Sequence, residues 1–327
     1  MNRAAEIAGF LETAGWADAD IESMPADFSP RRYARLLHAD GCHAILMDAD
    51  KDQKTPQFVA LAKVLLDLGL SAPEIYAQQA LYGLVLMEDF GEANVGRLID
   101  GAASAELYYL RAAEVLVHLH RSFRPEMISG IEAPHFTVQL FTQQTEKFLD
   151  NYVSYAVDRE ASATERDDFR AAWLAVLQPV VHMPQSLLLR DFMPDNVMHL
   201  SQREGVRALG LLDFQDAGMG PVAYDMASFC ETVRRDGGDV MLQLMITRYM
   251  EITRPSFTAQ DLAQSCRILS AQRHMRILGI LADLAVKGRE DKRDYMPRVQ
   301  KRLQELLRDE ALLPVRQWLD KTGFLNA

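Results

Sequence analysis

Asp191, Asn196 and Asp213 have the types and spacing of a phosphoryl-transfer site. Asp191 and Asn196 interrupt the apolar runs of LLLRDFMPDNVMHL, residues 187–200, and Asp213 ends the next apolar run, LGLL. A carboxylate can orient or deprotonate an attacking hydroxyl. An amide oxygen and a second carboxylate are hard ligands suited to Mg²⁺ beside a triphosphate. The five-residue step from Asp191 to Asn196 lets one compact loop turn the acid toward an acceptor and the amide toward the metal. Asp213 arrives after a hairpin with the polar turn SQREG, so it can meet the same metal from the other side. A lone D-x-x-x-x-N is common by chance. R-D-x-x-x-x-N at a strand end, followed by L-L-D-F at the end of the next run, is far more specific.

The elements that position these residues follow from apolar periodicity. Residues 3–15 have a helical rhythm that Gly15 is placed to end, and TPQFVALAKVLLDL, 55–68, repeats it with Thr55 as cap, Pro56 in the first turn and Gly69 at the exit. Between them Ser29-Pro30 could open a helix, but Asp40-Gly41 between RRYARLLH and CHAILMD favours a hairpin. EIYAQQ and ALYGLVLMEDFG then read as short strands. Residues 104–123, 138–155, 163–178 and nearly all from 222 onward are helical in pattern, and only 186–214 is strand-like. The expected fold class is α+β: a small β-rich lobe over residues 1–90 and a large, mostly helical lobe over 91–327 that carries a short β insert.

Composition narrows the partners. With 35 Lys and Arg against 46 Asp and Glu, the formal charge of −11 argues against non-specific binding to nucleic acid or an anionic membrane. The three cysteines, Cys42, Cys230 and Cys266, form no CxxC pair and suit a reducing compartment, where they read as buried structural thiols. MNRAAEIAGFLETAGW has no uninterrupted apolar core, and no segment reaches spanning length, so a cytoplasmic protein is expected. His118 and His120 lie two apart on a helix and cannot form a paired ligand set; Met241, Met245 and Met250 recur at helical spacing as core filling.

The block from 187 to 229 resembles the catalytic and metal-binding segments of the aminoglycoside phosphotransferase and choline kinase family, which has a two-lobed protein-kinase-like fold. DFQDAGMGPVAYDMASF resembles the family's stretch after its metal-binding Asp. Within the family, L-R-D, LLDFQDA and SPRRYARL followed by AILMDAD are most similar to bacterial kinases that phosphorylate the anomeric hydroxyl of N-acetylmuramate and N-acetylglucosamine in cell-wall recycling.

The resemblance implies ATP and Mg²⁺ as cofactors and a small-molecule acceptor, an amino sugar. It implies Asp191 as catalytic base with Arg190 beside it, and Asn196 and Asp213 as metal ligands. Leu86-Met87-Glu88-Asp89-Phe90 resembles the adenine-binding hinge, with Met87, Glu88 and Phe90 as cofactor contacts. Asp225 would brace the catalytic loop by accepting backbone N–H groups at a helix start. Two features depart from the family pattern. DFSPRRYARL lacks the glycines of the phosphate-covering loop, and ILMDAD stands where a third-strand Lys belongs. Arg32 and Arg35, three apart on a strand, point to opposite faces, and Arg32 is the candidate phosphate ligand. Asp195 reads as a turn residue, and Asp216, Tyr224, Glu231 and Arg235 as acceptor-site candidates by proximity in sequence. An aminoglycoside or choline-type kinase, or a pseudokinase-like nucleotide-binding protein, are the alternatives.

Overall fold

A computed structural model describes residues 3–25, 31–49, 54–101, 104–157, 159–235 and 238–325. It divides into two compact units, Met1–Ala105 with Ser122–Ala133 and Pro194–Ala217, and Glu106–Arg121 with Pro134–Met193 and Gly218–Ala327. The division expected at residue 90 falls inside the first unit. The reason lies in hydrogen bonds distant in sequence: the hairpin after Asn196 is tied to Ser71, Ala93 and Asn94.

The first unit is built on antiparallel strands in the order β1-β2-β3-β5-β4: β1 (Asp20–Ser23), β2 (Arg32–Leu37), β3 (His43–Asp48), β4 (Ile75–Gln79) and β5 (Leu84–Glu88). The hairpin signalled by Asp40-Gly41 is β2–β3, with Gly41 at φ +86°; the Ser29-Pro30 signal lies outside the described residues. Strand alternation sorts the sheet's faces. Leu36, Ala44, Leu46, Leu84 and Leu86 pack one face against Phe10 and Leu11 of α1 (Arg3–Thr13). The strand partners Tyr33 and Met47, and Arg35 and Ile45, take the other face together with Val85 and Met87. β3 and β5 are thus buried on both faces along 44–47 and 84–87, which is why those runs, AILM and LVLM, are apolar.

α2 (Thr55–Asp67) follows β3 and ends at Gly69, φ +79°. Its cap is Lys54, in the left-handed region at φ +53°, rather than Thr55, which is already buried in the first turn. α3 (Val95–Asp100) is capped by Asn94, whose side chain accepts the Arg97 N–H.

The second unit is mainly helical: α4 (Ala105–Ser122), α5 (Val138–Lys147), α6 (Ser154–Val157) and α7 (Ala163–Val181) precede the insert. Four short strands follow, β6 (Gln185–Leu188), β7 (Val197–His199), β8 (Leu209–Leu211) and β9 (Gly218–Pro221), of which β7 and β8 belong to the first unit. α8 (Ala223–Cys230), α9 (Gly238–Thr253), α10 (Ala259–Val286), α11 (Met296–Leu306) and α12 (Leu313–Thr322) complete the chain.

Reciprocal capping boxes start α7 at Ser162 and Glu165 and α10 at Thr258 and Asp261. The helix expected over 138–155 changes to a π-helical turn at Phe148–Val153. There the backbone passes so close to α10 that a Cβ on Gly279 would meet the Lys147 carbonyl oxygen at 2.1 Å. Gly279 is what lets the two backbones approach.

Candidate active site

The two metal-ligand candidates are brought together by strand register. β7 pairs with β8 so that Val197 faces Leu211, and the Leu212 N–H donates to the Asn196 carbonyl at 3.0 Å. Asn196 just precedes the hairpin and Asp213 follows it, so both stand at its open end. The Asn196 amide lies 3.4 Å from Asp213 Oδ2, and the Gln215 amide donates to Asp213 Oδ1 at 2.7 Å.

The hairpin is anchored within its unit at both sides: Leu211 N–H to the Ser71 carbonyl, 2.7 Å, and His199 N–H to the Ala93 carbonyl, 2.7 Å. Asn94 completes the anchorage by donating its amide to the Asp195 carbonyl at 2.7 Å. No pattern around Asn94 pointed to this, because its partner is 101 residues away.

Asp213 is held at φ +60°, a left-handed conformation that costs a non-glycine residue about 1–2 kcal/mol. The ring of the next residue compensates: Phe214 stacks on Phe58 of α2 with centroids 5.1 Å apart and planes 7° from parallel. The donor set suits Mg²⁺, which takes one or two protein oxygens and leaves the rest to phosphate and water. Besides the Asp213 carboxylate and the Asn196 amide, the buried Gln215 Oε1 has no hydrogen-bond partner among the described residues. That unsatisfied acceptor beside Asp213 fits a cation or its bound water.

Asp191 belongs to the second unit, where β6 ends and the chain turns. β6 pairs with β9, and the pairing is close because β9 is Gly-Met-Gly-Pro: a Cβ on Gly220 would meet Leu188 Cδ1 at 2.4 Å. This strand is not legible as one, since glycines replace the usual β-branched residues. Arg190 is held at φ +73°. Asp225 sustains it, accepting the Leu189 N–H at 2.6 Å and the Arg190 N–H at 3.0 Å. Bracing of the loop by Asp225 is as expected, but the donors come from the loop and not from the start of α8. Burial pushes the Asp225 carboxyl up to about 7 against the downward pull of those two N–H groups.

Arg190 is buried beneath the loop. Its guanidinium hydrogen-bonds to the Tyr224 hydroxyl and lies 4.5 Å from the Phe136 ring centroid. Arg273 of α10 donates to the Tyr224 hydroxyl at 2.8 Å and to the Arg190 carbonyl at 3.3 Å. Burial alone would raise the Tyr224 hydroxyl, but Arg190, Arg273 and Arg276 outweigh it and hold its pKa below the ordinary phenol value. Arg190 therefore positions the loop that presents Asp191, through Tyr224. Arg273 and Arg276 were missed because they lie 82 and 85 residues beyond Asp191, on a helix whose pattern reads as core.

The hinge candidates sit at the exit of β5. Met87 is buried, and the Glu88 N–H is spent on the Glu74 carbonyl. The Glu88 carboxylate pairs with Arg203, which also lies 5.5 Å from the Phe90 ring. Phe90 packs where Gly210 leaves room, since a Cβ there would come within 2.7 Å of the ring.

Arg32 is placed differently from the expectation. It lies on the α1 face of the sheet, and both it and Arg3 of α1 bind Asp48, the residue at the end of β3. Arg35 does take the opposite face, but Asp89 and Glu92 neutralise it. On that opposite face Arg31, buried, hydrogen-bonds to Tyr33 and lies 5.9 Å from the Phe58 ring; Tyr33 also senses the Asp213 charge. Lys54 Nζ pairs with Asp216 at 2.7 Å. Of the acceptor candidates, Asp216 is thus partnered by Lys54, Tyr224 is buried under the loop, and Glu231 is buried against Arg302. Cys230 and Cys266 are buried free thiols as expected, whereas Cys42, in the β2–β3 turn, is exposed.

A phosphotransferase enzyme family profile matches residues 20–258. The chain belongs to that family. This phosphotransferase is 26% identical to the N-acetylmuramate/N-acetylglucosamine kinase of Caulobacter vibrioides over 98% of its own length and 96% of the relative's. It is 25% identical to the enzyme of that name from Neisseria meningitidis serogroup B, over 96% of each chain. Among solved structures it is similar to a choline/ethanolamine kinase family protein from Mesorhizobium loti, with TM-score 0.66 and 17% identity over 96% of this chain and 99% of that one. Aminoglycoside 2'-phosphotransferase-IIIa, solved with GDP, gives TM-score 0.62 and 14% identity over 94% and 98%. The fold of the phosphotransferase is protein-kinase-like, as the sequence resemblance implied, and it is a small-molecule kinase. No helix among the described residues is long and apolar enough to cross a membrane.

Proposed function

We propose that this phosphotransferase uses ATP and Mg²⁺ to phosphorylate the anomeric hydroxyl of an N-acetylated amino sugar. The observation that carries phosphoryl transfer is the β7–β8 register, which sets Asn196 and Asp213 side by side at the hairpin's open end, five residues after Asp191. The sugar is supported by near full-length similarity to relatives named for N-acetylmuramate and N-acetylglucosamine.

Asp191 accepts the proton of the anomeric hydroxyl as its oxygen bonds to the γ-phosphorus and the bond to the ADP oxygen breaks. Arg190, Tyr224 and Asp225 fix the loop so that this carboxylate is presented without reorganisation. Asn196 and Asp213 would hold the magnesium, which when bound would supply positive charge to the transferring phosphate. Arg31 and Lys54, in the same unit as the metal pair, supply the cationic grip in place of a third-strand Lys.

The test is ATP consumption over a panel of N-acetylmuramate, N-acetylglucosamine, choline, ethanolamine and aminoglycosides, with thermal midpoints measured with ATP, with and without Mg²⁺. Turnover of the N-acetylated sugars and a Mg²⁺-dependent upward shift are expected. Turnover of an amino alcohol or aminoglycoside alone overturns the sugar, and no shift with either nucleotide mixture overturns the kinase.

A further inference from the structure

Three arginines gather behind the Asp191 loop, and two of them are accounted for: Arg190 and Arg273 are both spent on Tyr224. The third, Arg276, is one helical turn beyond Arg273 on α10, a spacing that places both on the same face. It is half-buried, yet among the described residues it makes no hydrogen bond and no ion pair. Its helix offers it no acid at three or four residues' distance, only Gln272, Arg273, Gly279 and Ile280. The groups acting on it are Arg190 and, less strongly, Arg273, which repel it, and Tyr224 and Asp191, which favour its charge. Burial, then Arg190, lower its pKa from the ordinary guanidinium value. A partly desolvated cation among cations is costly unless an anion arrives.

We propose that Arg276 binds the carboxylate of an acidic acceptor sugar, and so selects N-acetylmuramate over N-acetylglucosamine at the Asp191 loop. The inference rests on the amino-sugar reading above. The two sugars differ by the lactyl ether of N-acetylmuramate, whose carboxylate matches the planar fork of a guanidinium. A bound carboxylate relieves the repulsion from Arg190 and Arg273. It also leaves Asp191 available to the hydroxyl, since Arg276 then has its own counterion. The same excess of positive charge disfavours polycationic aminoglycosides, despite the acidic chain as a whole.

The test compares steady-state rates of the full chain with Mg²⁺-ATP and each sugar, for the wild type, Arg276→Gln and Arg276→Lys. The ratio of kcat/KM for N-acetylmuramate over N-acetylglucosamine is expected to fall about tenfold or more in Arg276→Gln, through the KM for N-acetylmuramate, and to recover in part in Arg276→Lys. An unchanged ratio, or equal losses for both sugars and for ATP, overturns the assignment. The wild type gives a second test that needs no variant. N-acetylmuramate should have a KM at least about tenfold below that of its uncharged carboxamide, and equal values overturn the proposal. If the wild type phosphorylates neither sugar, the amino-sugar reading fails and takes the inference with it. If it phosphorylates both and the ratio does not move, only Arg276 is excluded.

Discussion

Asp225 accepts the backbone N–H of Arg190 at 3.0 Å while Arg190 itself is held at φ +73°, so a buried carboxylate stabilises a strained residue directly before the proposed base. The arrangement has a pH signature. The Asp225 carboxyl is pushed up to about 7 in the folded chain, whereas a free Asp titrates at about 4. Between those values the folded state binds the proton and the unfolded state does not, so this group's contribution to stability is full below about pH 4 and is lost as pH rises through about 7. Asp225→Asn removes the titration. Denaturant unfolding at several pH values should show the wild type losing stability relative to Asp225→Asn across this window. A difference independent of pH would mean that Asp225 is not buried as described.

His120 works in the opposite direction in the same unit. Burial depresses its imidazole to about 3, and Nδ1 lies 3.0 Å from the Tyr249 hydroxyl. Here the unfolded state takes up the proton first, near 6.5, so stability is lost as pH falls from about 6.5 through about 3. His120→Gln keeps an amide to meet Tyr249 but cannot titrate. It should remove the loss of stability that this group causes on the acid side and leave the opposite slope of Asp225 unopposed between about pH 4 and 6.5, and with Asp225→Asn in the same chain both contributions should vanish there.

For catalysis, Asp191→Asn is expected to lower kcat by about 10²–10⁴-fold with little change in the KM for ATP, because a base acts only as the proton leaves. Asp213→Asn should instead shift the Mg²⁺ dependence, so that more metal is needed for half-maximal rate. Titration of rate against Mg²⁺ separates the two roles. A variant of Asp213 with wild-type metal dependence would remove it from the ligand set.

The sequence made visible what is local. Asp40-Gly41 announced the β2–β3 hairpin, and Gly15 and Gly69 marked helix ends at positive φ. R-D-x-x-x-x-N with L-L-D-F marked the two acids and the amide. Hidden were features that depend on partners far along the chain. β1 reads Asp-Ile-Glu-Ser, four exposed residues that form a strand only because Leu37 through Ala34 offer them an edge. Residues 194–217 join the first unit through hydrogen bonds to Ser71 and Ala93, which no periodicity encodes. The alternation of β2 is legible in the sequence, but which face α1 covers is not, and that face holds Arg32.

That assignment of faces gives the last prediction, which concerns the phosphate grip. Arg32 is mostly solvent-exposed and tied to Asp48, an ion pair worth at most about 1 kcal/mol at such a site. Arg32→Ala should therefore leave the KM for ATP close to wild type. Arg31 lies on the other face beside Phe58, and Lys54 starts α2 against Asp216, three residues after Asp213. If these two cations meet the nucleotide phosphates, Arg31→Gln and Lys54→Ala should each raise the KM for ATP by about tenfold, the effect of losing one charge-assisted hydrogen bond. Asp216→Asn separates the grip from a surface ion pair. It frees Lys54 without removing it, so the KM for ATP should fall or hold, whereas an ion pair important only for stability would make Asp216→Asn and Lys54→Ala equally harmful. Steady-state kinetics of the four variants at saturating acceptor decide between these outcomes. A wild-type KM for ATP in both Arg31→Gln and Lys54→Ala would exclude these two residues as the substitute for the third-strand lysine.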